Sequence, residues 1–297
     1  MSEPLISIIL PVHNEESFIG ECMKSLADQD YPNWEAIIVD DYSSDSTVTI
    51  LNEWATRDNR IKVIVPDGRP GKVAAFNLAF RESRGDLVTH VGGDDLLPGN
   101  GLTLRVTSLT AADPVAVSLG KLQFVNAAGE HIGKPIPRGT AGSQSGPGLT
   151  YTRPLADLIF PIPDSLPSED IWLGNSAVAC GADVRHIQEV VTLYRRHAKN
   201  SNPRHKSFEE MDLAIASRMV AYQLLTESTL PLSEESRLEF ARRIAAEDLR
   251  HRRRTLSLLT QRDTRLVDRI ALASMSRPVL WKARQRLGHR LSGWRGR

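Results

Sequence analysis

The sequence is poor in cysteine and has no long hydrophobic run. Its two cysteines, Cys22 and Cys180, are too few for a disulfide framework or a cysteine-ligated zinc site. A membrane-spanning helix is not expected, because no stretch of about 18 apolar residues occurs. The first residues also lack the basic start and apolar block of a signal peptide. Together these absences predict a cytoplasmic protein.

The composition is that of an ordinary globular protein, but its charge is unevenly divided. With 41% hydrophobic and 25% charged residues, the chain can bury a sizeable core. Residues 1–203 hold 17 lysines and arginines against 25 acidic residues, whereas residues 204–297 hold 20 against 11. The net charge of +1 therefore hides an acidic body and a basic tail. Such a tail fits either an anionic partner or a solvated helical surface that docks on the body.

Short apolar segments alternate with helix-length segments through most of the acidic body. The apolar segments predict strands over residues 5–10, 34–39, 61–65, 87–91 and 187–194. Helical spacing predicts a helix over about residues 15–27 and two further helices that end near residues 55 and 85. Another helix is expected to start at residue 168. This alternation predicts an α/β fold with right-handed crossovers and a mostly parallel sheet. Residues 127–150, rich in Gly, Pro and Ser, are expected to form a long mobile loop suited to a substrate lid.

Two acidic pairs, Asp40-Asp41 and Asp94-Asp95, lie at the ends of predicted strands, the second pair after Gly92-Gly93. Ligands of open α/β sheets bind beyond the carboxyl ends of the strands, where both pairs should lie. Carboxylates gathered there repel one another unless a cation or hydrogen-bond donors lie between them. The pattern therefore indicates a metal or a hydroxyl-rich ligand, although helix capping and turn formation would also use these residues.

Four motifs in the first hundred residues and two later segments, all in order, carry a family resemblance. They are Pro11 to Glu16, Ile38 to Thr47, Gly71 to Asn77, Gly93 to Pro98, and the pair of later segments Ser168 to Asp170 and Tyr194 to His197. Together they resemble the family 2 glycosyltransferases, and the match covers roughly residues 4–202. The resemblance implies a GT-A fold, which is a Rossmann-like, mostly parallel sheet flanked by helices.

The resemblance also implies an activity. It predicts an inverting, metal-dependent hexosyltransferase that moves a sugar from a nucleotide-diphosphate donor, expected to be UDP-linked, to an acceptor hydroxyl. The acceptor would be a carbohydrate or a lipid-linked molecule, and the setting the synthesis of cell-envelope polysaccharide or glycolipid. The alternative is a non-catalytic scaffold or regulatory subunit that keeps the nucleotide cleft within a glycan assembly complex.

The family motifs assign site residues one by one. The residues matched to nucleotide binding are Pro11, His13, Asn14, Glu15, Asp41, Arg69, Lys72 and Asp94. Asp94, with Asp95 and His197, would bind Mn²⁺ or Mg²⁺, which takes oxygen ligands and neutralises a departing diphosphate. Asp170, beside Glu169, would be the base that accepts the proton of the acceptor hydroxyl. Asp170 would equally suit the N-terminus of a helix through its charge alone.

The acidic motif departs from the family pattern at its first position. Where the family usually has Asp-x-Asp-Asp, this sequence has Gly92-Gly93-Asp94-Asp95. Gly92 therefore offers no carboxylate to a ribose or a metal, and this is the best support for the scaffold alternative.

The sequence predicts a catalytic domain over residues 1–205 and a basic helical extension over 206–297. Pro278 opens a last helix in which apolar residues recur at helical spacing among lysines and arginines. A cationic amphipathic helix of this kind fits an anionic membrane surface, and a peripheral location on the inner face of the cytoplasmic membrane follows. Docking on the acidic body or a dimer contact would use the same residues. A nucleic-acid partner is not expected, because the body is acidic and no recognition motif is present.

Overall fold

The computed structural model describes residues 3–197, 207–261 and 265–288. The chain divides into two compact units, Met1–Asn200 and Ser201–Arg297. The predicted domain boundary at residue 205 lies outside the described residues. Within the described ranges, no helix combines the length and apolarity needed to cross a lipid bilayer.

Across residues 3–197, eight strands form one sheet. They are β1 (Ile6–Val12), β2 (Trp34–Asp40), β3 (Ile61–Ile64), β4 (Leu87–His90), β5 (Ala116–Val125), β6 (His131–Ile136), β7 (Leu149–Thr152) and β8 (Asp183–Arg195). The order is β3-β2-β1-β4-β7-β5-β6, and β8 also pairs with β5. Strand pairs β1–β2, β1–β4, β2–β3 and β5–β8 are parallel, whereas β4–β7, β5–β6 and β5–β7 are antiparallel. The predicted α/β architecture is confirmed, with the antiparallel pairs gathered around β5 and β7.

Six helices connect these strands within the described part of the first unit. They are α1 (Ile19–Ala27), α2 (Thr47–Arg57), α3 (Lys72–Glu82), α4 (Gly101–Leu109), α5 (Arg153–Ile159) and α6 (Asp170–Ala179). The first helix was expected from Glu15, and its later start has a local cause. The backbone N–H groups of Glu15 and Glu16 donate to Thr47 Oγ1 and Asp45 Oδ2, at 2.8 and 3.2 Å, so these residues form a turn.

The core lies between β1, β2 and the apolar face of α1. Seven consecutive residues of β2 are buried, as expected for a central strand covered on both faces. On α1, the buried side chains Ile19, Cys22, Met23 and Leu26 recur at helical spacing against β1 and β2. Cys22 is a packing residue, as its place on this face predicted.

Strand β1 continues through Pro11, where the sequence suggested an end. Ile9 C=O accepts Val91 N–H on the β4 side, and Val12 C=O accepts Asp41 N–H on the β2 side. Pro11, two residues after Ile9, therefore faces the β4 side, where β4 ends at His90. The missing N–H of the proline costs little there, because no ladder partner follows.

The expectation of a long mobile loop over residues 127–150 is wrong. His131–Ile136 forms β6, which pairs with the second half of β5, and Gly146–Gly148 forms a 3-10 turn that leads into β7. The glycines and proline that suggested a loop sit in and around these short elements. Gly133 inside β6 has φ +70°, a conformation that glycine adopts at little cost.

The second unit is helical throughout its described residues, as predicted. Its helices are α7 (Phe208–Glu227), α8 (Glu234–His251), α9 (Thr255–Thr260), α10 (Leu266–Ser274) and α11 (Pro278–Gly288). Ser207 and Glu210 form a reciprocal capping box at the start of α7. Arg250, which is 1% exposed, donates to Asp212 at 2.6 Å and ties α8 to α7.

Candidate active site at the carboxyl ends of the strands

The loop after β1 is locked to the loop after β2. Asn14 has φ +55°, which asparagine tolerates better than most residues. Its N–H donates to Ser43 Oγ at 2.9 Å, and its Oδ1 accepts the Ser44 N–H at 2.8 Å. These bonds hold the predicted nucleotide residues Pro11, His13, Asn14 and Glu15 beside the end of β2.

Asp41 connects the end of β2 to the segment before α3. Its carboxylate is 6% exposed, and Oδ1 accepts the Gly71 N–H at 2.7 Å. Arg69 Nε lies 3.7 Å from Asp41 Oδ2. Gly71 has φ +83°, so a side chain at this position would strain the backbone. The structure therefore brings Asp41 and Arg69 together, with Lys72 next along the chain.

Asp94 and His197 meet at the end of β4. His197 Nε2 lies 3.0 Å from Asp94 Oδ2, and the imidazole ring packs on Phe18 with the ring centroids 4.5 Å apart. Both side chains are partly exposed, Asp94 by 19% and His197 by 9%. A carboxylate oxygen and an imidazole nitrogen thus lie side by side at the sheet edge.

Asp95 turns into the protein. It is 1% exposed, and its Oδ1 accepts the Arg195 N–H at 2.9 Å. Burial, followed by the charge of Asp94, raises the pKa of the Asp95 carboxyl well above its usual value. In this arrangement Asp95 supports the acidic loop, and its predicted role as a second metal ligand stays a prediction.

Arg195 is a site residue that the sequence analysis did not single out. Its side chain is fully buried and donates to the Asp94 carbonyl at 2.8 Å, to the Ala127 carbonyl at 2.6 Å and to Glu21 Oε2 at 2.6 Å. It therefore fixes the backbone that presents Asp94. The segment Tyr194 to His197 contains two adjacent arginines, and the sequence does not show which of them is buried. In the structure it is Arg195, whereas Arg196 lies over the ring of Phe124.

A side chain at Gly92 would press on the two aspartates that follow it. A Cβ at this position would lie 2.7 Å from Asp94 Oδ1 and 3.1 Å from Asp95 Oδ2. An aspartate at position 92 would therefore require the side chains of Asp94 and Asp95 to move from their present positions.

The donor set at Asp94 fits a divalent cation that completes its coordination with substrate. Within the described ranges, no three His, Cys, Asp or Glu side chains form a metal-binding cluster. Mg²⁺ nevertheless is commonly bound through one or two carboxylates together with substrate phosphates and water. Asp94 Oδ2 with His197 Nε2 is consistent with such a site.

Glu169 and Asp170 stand at the start of α6. Glu169 is 4% exposed, and its Oε1 accepts Lys72 Nζ at 2.9 Å. Its other oxygen, Oε2, is buried without a hydrogen-bond partner in the described part of the chain. Burial, then the adjacent Asp170, raises the pKa of Glu169 to about 7, against the lowering effect of Lys72. The helix begins at Asp170 and not at the expected Ser168, and Glu169 occupies the N-cap position.

A buried histidine lies next to Asp170. His90 at the end of β4 is 3% exposed, and neither ring nitrogen has a hydrogen-bond partner within the described residues. Burial lowers the pKa of His90 to about 3, so the imidazole is neutral. A Cβ on Gly146 would collide with His90 Nε2 and lie 3.3 Å from Asp170 Oδ1. Gly146 therefore lets the 3-10 turn approach both groups, which no sequence motif indicated.

The predicted residues thus form one neighbourhood at one edge of the sheet. Glu15 Cγ lies 3.1 Å from the position of a Gly93 Cβ, which joins the β1 loop to the acidic loop. Partial burial acts to lower the pKa of Lys72, whose side chain is still 50% exposed, but Glu169, Asp170 and, more weakly, Asp94 raise the pKa overall, so Lys72 lies among these three carboxylates. The edge can therefore present an anionic ligand site, a cation site and a proton acceptor side by side.

Comparison with solved structures identifies the architecture as a GT-A fold. The structure superposes on S. aureus TarS 1–349 in complex with UDP-GlcNAc with a TM-score of 0.63 at 20% identity, covering 91% of this chain and 81% of that one. It superposes on the mannosyltransferase PcManGT from Pyrobaculum calidifontis, in complex with GDP-Man and Mn²⁺, with a TM-score of 0.60 at 16% identity. That match covers 97% of this chain and 77% of the other.

Sequence comparison gives the family. Residues 7–154 match the model of Glycosyl transferase family 2, and this part of the chain belongs to that family. An uncharacterized glycosyltransferase of Haemophilus influenzae is 30% identical over 132 residues, which are 44% of this chain and 52% of that protein. An Escherichia coli UDP-Glc:α-D-GlcNAc-diphosphoundecaprenol β-1,3-glucosyltransferase, WfgD, is 30% identical over 126 residues, 42% of this chain and 49% of WfgD. The matched segment thus spans about half the length of these relatives.

Proposed function

We propose that this protein is an inverting glycosyltransferase that transfers a hexose from a UDP-linked donor to an acceptor hydroxyl. The observation that carries the proposal is the acidic edge of the sheet, where the Asp94–His197 pair and the Glu169–Asp170 pair both lie close to Lys72. Family membership of residues 7–154 supplies the reaction class, since a fold alone does not define a function.

The donor would lie across the loops after β1, β2 and β4. The proposed nucleotide ligands are Pro11, His13, Asn14, Glu15, Asp41, Arg69 and Asp94. The hydrogen bonds between these loops hold the nucleotide residues in place before the donor arrives, which lowers the entropic cost of binding. The complexes of TarS with UDP-GlcNAc and of PcManGT with GDP-Man support a sugar-nucleotide donor.

A divalent cation, Mn²⁺ or Mg²⁺, would be held by Asp94 and His197. When bound, it neutralises the charge that develops on the diphosphate leaving group. Arg195 keeps the Asp94 backbone in place for this role. The Mn²⁺ complex of PcManGT supports the choice of cation.

Asp170 is the proposed base. Inversion requires a proton acceptor on the face of the sugar opposite the leaving group, and a carboxylate at the start of α6 would occupy that side of the cleft. The acceptor hydroxyl would give its proton to Asp170 as its oxygen attacks the anomeric carbon and the sugar–phosphate bond breaks. Glu169, held by Lys72, lies directly beside this base.

Nucleotide titration tests the donor site. Calorimetric titration of UDP and GDP, with and without Mn²⁺, is expected to show Mn²⁺-dependent binding of UDP that is lost in Asp94→Ala. Asp157→Ala, at an exposed position on α5, is the matched control and should bind as wild type does. Binding that ignores both the metal and Asp94 would refute the metal-dependent mechanism and favour the scaffold alternative.

Turnover tests the base. Asp170→Asn should abolish UDP release from UDP-glucose and UDP-GlcNAc, in which water takes the place of the acceptor hydroxyl, while UDP binding stays near normal. Retained turnover in this variant would remove Asp170 from the mechanism.

The proposed setting is the assembly of cell-envelope glycans at the inner face of the cytoplasmic membrane, with a carbohydrate or lipid-linked acceptor. WfgD, whose name specifies a diphosphoundecaprenol-linked acceptor, supports a lipid-linked class. The second unit exposes aliphatic side chains close in sequence to basic ones, as an anionic membrane surface would favour: Leu256 is 79% exposed and Val279 77% exposed.

Vesicle flotation tests the membrane contact. The full chain should float with phosphatidylglycerol vesicles, and the double variant Arg277→Glu with Lys282→Glu should float less. Equal flotation of both proteins, or of neither, would refute the membrane contact.

A further inference from the structure

The strongest unassigned feature of the cleft is the contact that Lys72 makes. The family resemblance assigns Lys72 to the nucleotide, yet its Nζ lies 2.9 Å from Glu169 Oε1. Glu169 is 97 positions away in the sequence and directly precedes Asp170, the proposed base. The ion pair therefore joins the start of α3 to the start of α6.

The ammonium group of Lys72 is held from two sides. Besides Glu169, it lies 5.9 Å above the ring of Phe76, one helical turn further along α3. This distance is within the range of a cation–π contact. Lys72 is also the first residue of α3, where a cation opposes the helix dipole. The carboxylate of Glu169 compensates for that unfavourable position.

The charges around the pair favour a fixed arrangement. Glu169 is buried, and on its own helix it adjoins Asp170, so two carboxylates stand side by side with Lys72 as the cation from α3. Tyr151 on β7 and His90 on β4 lie near Asp170, and both are neutral side chains. Removing Lys72 would leave Glu169 buried beside a second carboxylate without its counter-charge, a costly arrangement.

Lys72 also connects the two halves of the site. The residue before it, Gly71, donates its N–H to Asp41 Oδ1 at 2.7 Å, on the proposed nucleoside side. A short path of two polar contacts therefore runs from Asp41 through Gly71 and Lys72 to Glu169 and the base, Asp170. The Lys72 side chain is half exposed, so it is the ion pair with Glu169 that directs its ammonium group to the base side of the site.

We propose that Lys72 is a positioning residue that acts on Asp170 through its ion pair with Glu169, and not a ligand of the donor phosphates. The inference rests on the proposed glycosyl transfer, because it assigns Lys72 to the base side of that reaction. Lys72 therefore contributes to turnover and little to nucleotide affinity. Arg69, which lies on the same loop beside Asp41, is the matched cation on the nucleotide side.

The test compares Lys72→Met, Lys72→Arg and Arg69→Met in the full-length protein. Calorimetry gives the Kd of UDP with Mn²⁺, and UDP release from UDP-glucose and UDP-GlcNAc gives kcat. Lys72→Met should change the Kd by less than about twofold but lower kcat by about tenfold to a hundredfold, within the usual contribution of a positioned base. Lys72→Arg should recover much of the loss, and Arg69→Met, on the nucleotide side, should weaken UDP binding by more than Lys72→Met does. If Lys72→Met fails to fold, Lys72→Gln takes its place.

A double variant tests whether Lys72 acts through Glu169. Residues that act as one unit are not additive, so Lys72→Met with Glu169→Gln should be no slower than the slower single variant. Multiplied losses would overturn the inference, as would a tenfold weaker UDP affinity with unchanged kcat in Lys72→Met. If the wild-type protein binds UDP but releases none from either donor, the Kd of Lys72→Met alone decides. A change of less than about twofold would support the inference, and a tenfold weaker affinity would overturn it. If the wild-type protein binds neither UDP nor GDP, the proposed function fails and the role of Lys72 with it.

Discussion

Replacing Glu169 by glutamine should remove a pH dependence of stability that this one buried carboxylate creates. The pKa of Glu169 rises from its ordinary 4.5 to about 7, because burial and Asp170 disfavour the ionised form more than Lys72 favours it. One pKa unit corresponds to about 1.4 kcal/mol, so ionising Glu169 costs the folded state about 3 kcal/mol relative to the unfolded state. Glu169 is almost fully buried, so solvent screens little of this cost.

The sign follows from proton binding. Between pH 4.5 and about 7 the folded protein holds the Glu169 proton and the unfolded chain has lost it. The folded state is therefore stabilised by this group at low pH, and the contribution disappears as the pH rises through that window. The Glu169→Gln variant lacks the group, so its stability relative to wild type should rise by about 3 kcal/mol from about pH 4 to about pH 8.

Urea unfolding at a series of pH values, followed by tryptophan fluorescence, measures this difference. Other titrating groups are common to both proteins and cancel in the comparison. Glu189→Gln, at an exposed position on β8, is the control and should track wild type within about 0.5 kcal/mol at every pH. A Glu169→Gln protein whose stability follows the wild-type pH curve would refute the assignment of a raised pKa to this carboxyl.

Two further predictions concern the acidic loop. Arg195→Met should lower the free energy of unfolding by about 3 kcal/mol, because it removes the fully buried donor to the Asp94 carbonyl, the Ala127 carbonyl and Glu21, and should weaken Mn²⁺-dependent UDP binding. Urea unfolding and calorimetry check both effects, and unchanged values would show that the acidic loop keeps its conformation without Arg195. Gly92→Asp restores the usual motif of the family but places its Cβ 2.7 Å from Asp94 Oδ1, the end of a side chain that can move, so it should cost at most about 1 kcal/mol of stability and, by displacing the Asp94 carboxylate, weaken UDP binding. Thermal unfolding and calorimetry test this, and tighter binding without loss of stability would contradict it.

The elements that could be predicted from the sequence are those whose signal is local. The central strands β1 and β2 read as continuous apolar runs because both faces of the sheet are covered. Strand β6 gave no such signal, since its six residues are exposed or half-buried and include a glycine and a proline. It exists through its pairing with β5, a contact that only the folded chain provides. Exposed edge strands of this kind resemble loops in composition.

The same distinction holds for the site. Asp41 and Asp94 could be predicted because each follows a buried strand, and strand ends meet at one edge of a parallel sheet. Arg195 and His90 could not, because their roles depend on burial that no local pattern encodes. Lys72 and Glu169 are 97 residues apart in the sequence, so no local pattern predicts their ion pair. This contact is the reason for the changed role proposed for Lys72.

The charge balance of the cleft bears on why the proposed donor would need a cation. Asp94, Glu169 and Asp170 lie around Lys72, which is paired with one of them, so the carboxylates outnumber the ammonium group. A diphosphate is itself anionic, and like charges gathered in a partly buried site disfavour one another. A divalent cation at Asp94 would reverse the local sign on the donor side and leave Asp170 anionic on the acceptor side. Above about pH 7, where Glu169 is ionised, Lys72 would pair with its charge and spare the base a second unpaired carboxylate. The two cations would then divide the cleft into a leaving-group half and a proton-accepting half.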